Sequence, residues 1–218
     1  MRVELIYLAA GNSRRFKRVE MTDRETGETV SDTNKLLYEV EGKPMYLHLL
    51  ERLLHICERH SGWEVLVVTQ HQKIYEAVRR MQEEGRKVRP VWSPDSAKGA
   101  SYSVKAGVLA AEESRECHAD ACAFFVADQP YLTEESAEGF LMEMEKTLAP
   151  LGSVRCKDAV GNPTWFSRIY FEELLGLSGD RGGRKVLKAH PEDVRYFAIE
   201  DEKELRDIDY CSQVERTL

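Results

Sequence analysis

Short apolar runs rich in β-branched residues alternate with stretches of helical periodicity from one end of the chain to the other. This alternation constrains the fold more than any other feature. Strands are expected at Val3–Leu8, Glu64–Thr69, Val88–Trp92, Ala121–Ala127, Ser153–Cys156, Thr164–Phe166 and Arg195–Ile199. Helices are expected between them at Pro44–His60, Ile74–Glu84, Ser101–Ser114, Thr133–Leu148, Arg168–Leu175 and Gly183–Ala189. Pro44 suits a first helical turn, where its missing N–H costs nothing. Thr133, followed by Glu134 and Glu135, has the hydroxyl cap and early carboxylates of a helix start. Strands alternating with helices predict a three-layer α/β fold with a mostly parallel, mixed central sheet, and ligands in such sheets bind at the carboxyl ends of the strands. The 218 residues suit one domain spanning 1–218.

One segment breaks the pattern. Residues 17–34 are polar, carry the turn signal Glu-Thr-Gly-Glu and alternate only weakly, which predicts an inserted loop or small hairpin beside the site.

Charge and cysteine content exclude several classes. The net charge is −7, which argues against nucleic-acid binding by overall charge. No apolar stretch reaches the roughly 20 residues a membrane helix needs. The first apolar run contains Glu4 and is followed by arginines rather than preceded by them, unlike a signal peptide. The five cysteines, Cys57, Cys117, Cys122, Cys156 and Cys211, form no C-x-x-C pair, so reduced thiols in a cytoplasmic protein are expected.

Candidate functional residues cluster where strands end. Leu8-Ala9-Ala10-Gly11-Asn12-Ser13 follows the first strand as a small-residue turn, able to aim backbone N–H groups at an oxyanion. Arg15 then offers a bidentate donor to phosphate, while Arg14, Lys17 and Arg18 screen nearby charge. Asp128 ends the apolar strand Phe-Phe-Val-Ala. A carboxylate there needs a cation, and with Pro130 and Thr133 behind it a hard divalent ion such as Mg²⁺ suits it better than helix capping. Gly99, Ser101 and Ser103 precede an apolar helix and offer N–H groups and hydroxyls to a nucleotide. Asp180 lies in a glycine- and arginine-rich turn that suits an anion or metal site.

The motifs LAAG-x-S-x-R at 8–15, K-x-L at 35–37, G-K-P at 42–44, KGASYSVKAG at 98–107, DQP at 128–130, GNPTWF at 161–166 and GDRGGR at 179–184 occur in that order. Together they resemble the molybdenum cofactor cytidylyltransferases, of the molybdopterin-guanine dinucleotide synthase-like NTP transferases. The resemblance covers most of the chain, to IEDEKELRDID at 199–209, and departs from the family at Phe16-Lys17 and Tyr102.

The resemblance implies a Rossmann-like, glycosyltransferase-A-like nucleotidyltransferase fold. It implies a Mg²⁺-dependent enzyme transferring CMP from CTP to molybdopterin with release of pyrophosphate, and a molybdoenzyme apoprotein as a partner. By it, Ala9–Ser13 hold the triphosphate and ribose side, with Leu8 and Ala9 near the base. Arg15 and Lys35 hold phosphates, Ser101 and Ser103 lie against the nucleotide, and Asp128 binds Mg²⁺. Asp180 stands on the acceptor side as a second carboxylate for metal. Two other functions fit the same residues: transfer to a sugar or alditol phosphate, and a molybdenum-cofactor insertion chaperone that binds without turnover.

Overall fold

The computed structural model describes residues 1–12, 34–113 and 118–209. In chain order the elements are β1 (Val3–Leu8), β2 (Glu39–Val40), β3 (Lys43–Pro44), α1 (Met45–Arg59), β4 (Trp63–Thr69), α2 (Gln72–Glu83), β5 (Val88–Trp92), α3 (Ala100–Glu112), β6 (Ala121–Val126), α4 (Glu134–Thr147), β7 (Leu151–Cys156), β8 (Ala159–Ser167), α5 (Phe171–Leu175), α6 (Arg184–Ala189) and β9 (Val194–Ala198). Short 3₁₀ turns at Lys35–Leu37, Pro94–Lys98 and Glu202–Leu205 matter for the site. The expected strands and helices all appear, most within two residues of their expected ends. The difference is largest at β8, which begins at Ala159, because Gly161 and Pro163 break the strand signal in its first half.

Seven strands form one sheet in the order β5-β4-β1-β6-β8-β7-β9. Only β8 runs against its neighbours, pairing antiparallel with both β6 and β7. The chain leaves β1 toward β4 and β5 on one side, then returns to place β6 on the other. The reversal opens a crevice at the carboxyl ends of β1 and β6, the place such sheets bind ligands.

Both faces of the sheet are covered, so β1 reads as continuously apolar apart from Glu4. Leu5 and Tyr7 face a core built with α1, α2 and α4, including Leu50, Val78 and Phe140. Ile6 and Leu8 face a second core with α3, α5 and α6, including Val108, Leu174 and Val186. Gly107 lets α3 approach this face closely, since a Cβ there would lie 2.5 Å from Ile6 Cγ2. The cores hold Cys57, Cys122 and Cys156 as buried free thiols, and burial pushes the Cys57 thiol up to about 12.

Candidate nucleotide site

A cleft of about 360 Å³ opens at the crevice between β1 and β6, lined by the turn after β1, by Lys35, Asp128 and Asp180, and by the start of α3. Sequence positions that were distant on paper therefore meet in one place. Leu8, Ala10, Gly11, Asn12, Lys35, Gly99, Ser103, Asp128 and Asp180 line the cleft. Ala9 and Ser101 are buried, at 0% and 1% exposure. Ser13, Arg15 and the expected insertion up to residue 33 lie outside the described residues.

The turn after β1 is oriented by the loop after β4. Thr69 Oγ1 donates to the Ala9 carbonyl at 2.8 Å, Gln70 Nε2 to the Ala10 carbonyl at 2.6 Å, and His71 Nε2 to the Gly11 carbonyl at 3.1 Å. In a trans peptide the carbonyl and the next residue's N–H point in opposite directions. Pulling three successive carbonyls toward β4 therefore turns the N–H groups of Ala10, Gly11 and Asn12 away from it. Successive N–H groups of this kind attract an anion. Asn12 is fixed at both ends of its side-chain amide, accepting from Gln70 at 2.8 Å and donating to the Ala97 carbonyl at 3.0 Å.

The α3 side is also preset. Gly99 has φ +147°, a conformation open to glycine, and a Cβ there would lie 2.6 Å from the Gly179 carbonyl oxygen and 2.8 Å from Asp180 Oδ1. The 179–180 turn therefore packs directly on the start of α3, and Ser101 N donates to the Gly179 carbonyl at 3.1 Å. Ser103 donates to Ser96 at 2.8 Å, and Ser96 to Ser93 at 2.9 Å, a buried hydroxyl chain behind the wall. The Ser101 hydroxyl is buried with no hydrogen-bond partner among the described residues.

The opposite wall is held by charge. Lys35 is only 7% exposed, with its position fixed by the 3₁₀ turn that Asn34 caps by accepting from Leu36 N. Its Nζ donates to Asp128 Oδ2 at 2.6 Å, to Asp209 Oδ1 at 3.2 Å and to the Ile208 carbonyl at 3.2 Å. Asp128 is not the cap of α4; Thr133 is, accepting from Ser136 N at 3.1 Å.

The segment after β9 straps this wall in place. Ile208 N donates to the Asp128 carbonyl at 2.9 Å. Gln129 Nε2 donates to Asp207 Oδ1 at 2.7 Å and to the Leu205 carbonyl at 3.2 Å. Glu204 accepts from Thr133 N at 2.9 Å, Thr133 Oγ1 at 2.8 Å and Ser136 Oγ at 3.1 Å. Burial pushes the Asp207 carboxyl up, the charge of Asp128 adds to the effect, and the Gln129 N–H opposes it.

Gln70, His71, Asp207 and Asp209 were not singled out from the sequence. The first two had a signal, being polar residues at the carboxyl end of a buried strand. Asp207 and Asp209 flank the buried Ile208 with the period of an extended segment. The carboxylate that shares the Lys35 ammonium with Asp128 is Asp209, whereas Asp180 is exposed and sits against Gly99.

Comparison with known proteins agrees with this architecture. The family model described as the MobA-like NTP transferase domain matches residues 5–194. The purine catabolism protein PucB of Bacillus subtilis is 26% identical over 188 residues, covering 84% of this chain and 80% of its own. The crystal structure of Rv0371c from Mycobacterium tuberculosis superposes with a TM-score of 0.70 at 23% identity, covering 100% of this chain and 98% of that one. Its complex with manganese gives 0.65 at 22% identity, with the same coverage. CMP:2-keto-3-deoxy-manno-octonic acid synthetase, complexed with CTP, gives 0.66 at 15% identity, covering 100% and 97%.

Proposed function

Because the chain belongs to the MobA-like NTP transferase family and is a nucleotidyltransferase, we propose that it transfers CMP from CTP to the terminal phosphate of a molybdopterin-type acceptor. The reaction would occur in the cytoplasm, with the product passing to a molybdoenzyme apoprotein. The observation that carries this reading is one cleft with the N–H groups of Ala10, Gly11 and Asn12 turned away from β4 on one wall and a lysine–carboxylate pair on the other. The choice of cytidine rests on the DQP and GDRGGR motifs.

An acceptor phosphate oxygen attacks the α-phosphorus in line. A new P–O bond forms, the bond to the oxygen bridging the α- and β-phosphorus breaks, and pyrophosphate leaves. The chain supplies no nucleophile; it positions the two substrates and neutralises charge. The N–H groups of Ala10, Gly11 and Asn12, with Ser13 and Arg15, hold the triphosphate. Leu8 and Ala9 lie near the base, and Gly99, Ser101 and Ser103 lie against the nucleotide. Lys35 contacts the phosphates, and Asp180 faces the acceptor.

Asp128 and Asp209 hold a divalent cation, Mg²⁺ in this reading. Their fit to such an ion rests on hard carboxylate oxygens converging on one point, where a single ammonium already lies within 3.2 Å of both. When bound, the ion withdraws charge from the phosphate oxygens.

Incubating the protein with CTP, GTP or ATP, Mg²⁺ and a molybdopterin source, with mass spectrometry of the products, tests the reading. A cytosine dinucleotide product is expected. Pyrophosphate release with a sugar phosphate instead, or nucleotide binding without release under any condition, overturns it.

A further inference from the structure

We infer that Lys35 is the resident cation of the Asp128–Asp209 pair, and that a divalent ion gains both carboxylates only when nucleotide phosphates draw the ammonium away. The inference rests on the nucleotidyl-transfer reading and adds an order of events to it.

Among the described residues, three oxygens lie on the Lys35 ammonium: one from each carboxylate and the Ile208 carbonyl, at 2.6, 3.2 and 3.2 Å. An ammonium has three N–H donors and no acceptor, so it satisfies this cage as a small cation would. Carboxylates and carbonyls are also the ligands that a hard divalent ion selects. Ammonium and metal therefore compete for the same oxygens, and like charge forbids both from occupying them at close range.

The surrounding charges show why the place is not left without a cation. Asp128 and Asp209 each place a carboxylate oxygen on the Lys35 ammonium, and Asp207, held by the Gln129 amide, adds a third acid to the same wall. Removing the ammonium with nothing in exchange would leave these acids facing each other in a partly buried wall. Lys35 is seated so that its exit is short. It lines the same cleft as Ala10, Gly11 and Asn12, whose N–H groups are turned away from β4. A triphosphate bound there offers the ammonium a new set of anionic oxygens and supplies the metal with the remaining ligands. Metal and nucleotide thus bind cooperatively, and by linkage each raises the affinity of the other by the same factor.

Mn²⁺ binding in the absence of nucleotide, followed by the free-ion electron paramagnetic resonance signal, separates this role from that of a simple brace. Lys35→Met is expected to bind Mn²⁺ alone at least tenfold more tightly than the parent, while its affinity for CTP falls. Lys35→Gln, which keeps polar contact with the oxygens but has no charge, is expected to change in the same direction and provides the test if the methionine variant fails to fold. Mn²⁺ affinity equal to the parent's or weaker in the folded variants overturns the inference.

The unmodified chain gives an independent readout. With ¹⁵N-labelled lysine, the Lys35 Nζ resonance is expected to shift on adding CTP with Mg²⁺, and an unmoved resonance at saturation overturns the inference. If the parent binds no nucleoside triphosphate at all, the nucleotidyl-transfer reading fails, and the Mn²⁺ titration alone decides whether Lys35 guards the carboxylates.

Discussion

The turn after β1 and the carboxylates after β6 face each other across one cleft, yet they are held by different forces. Side-chain hydrogen bonds from Thr69, Gln70 and His71 fix the turn, each to a successive backbone carbonyl. Charge fixes the opposite wall, where Lys35 joins Asp128 to Asp209 and Glu204 closes the start of α4. A wall built from contacts to its backbone keeps its shape whether or not a ligand is present. A wall built from exchangeable ions can trade one cation for another. The first wall suits a fixed cradle, and the second suits the part of the site where charge is rearranged.

The sharpest way to break this comparison is to neutralise the charged wall. Asp128→Asn is expected to lower kcat/KM for CTP by about a hundredfold or more, because it removes a proposed ligand of the divalent ion and the shorter of the two Lys35 ion pairs. Pyrophosphate release at saturating Mg²⁺ measures it, and activity within threefold of the parent would remove Asp128 from the site. Next in size is Glu204→Ala, which leaves the donors of Thr133 and Ser136 unpaired and should cost about 1–3 kcal/mol of stability. Urea unfolding checks this, and an unchanged midpoint would mean that the strap is not what secures α4.

On the wall of the turn, Gln70→Leu should raise KM for CTP about five- to tenfold, the worth of about one hydrogen bond, with little change in kcat. A fall in kcat as large as that of Asp128→Asn would collapse the distinction between the walls.

The smallest effect belongs to the amino end of β1. Burial, with the Glu64 charge adding, pushes the Glu4 carboxyl above its ordinary 4.5. A raised folded-state value means that the carboxyl's contribution to stability is full below about 4.5 and is lost as pH rises through the folded value. Glu4→Gln should therefore match the parent near pH 4 and melt at a higher temperature near pH 8. Thermal melts at the two values decide it, and a variant less stable at pH 8 would show that the Arg2 contact outweighs burial.

The sheet was legible in the sequence because each central strand is buried on both faces, which leaves an unbroken apolar run in the text. The site was legible where a strand's end coincided with unusual chemistry, as at Gly11 and Asp128. At Gln70 the only signal was a polar residue at the end of a buried strand, because an ordinary amide acts through the backbone it turns. The site was not legible at Asp209, whose partner Lys35 is 174 residues away and is brought near only by the strap. The acidic stretch at 199–209 follows the end of β9 at Ala198 and forms a short 3₁₀ turn at Glu202–Leu205. Its side chains are spent on the residues after β6 rather than on a helix of their own.

The strap also sets when the cleft comes into being as the chain is synthesised. The β1, β4 and β5 strands can pair as soon as α1 and α2 have emerged, since their contacts are parallel neighbours within the first 92 residues. The ammonium of Lys35 meets Asp128 only after β6, and Asp209 and Glu204 arrive later still. Such distant contacts form late because closing long stretches of chain costs entropy before any contact rewards it. A nascent chain can thus hold half of its sheet, with the turn after β1 already set by β4, while the Lys35–Asp128–Asp209 cluster does not yet exist. Capacity for chemistry then appears in one late step, when the last strand and the strap dock.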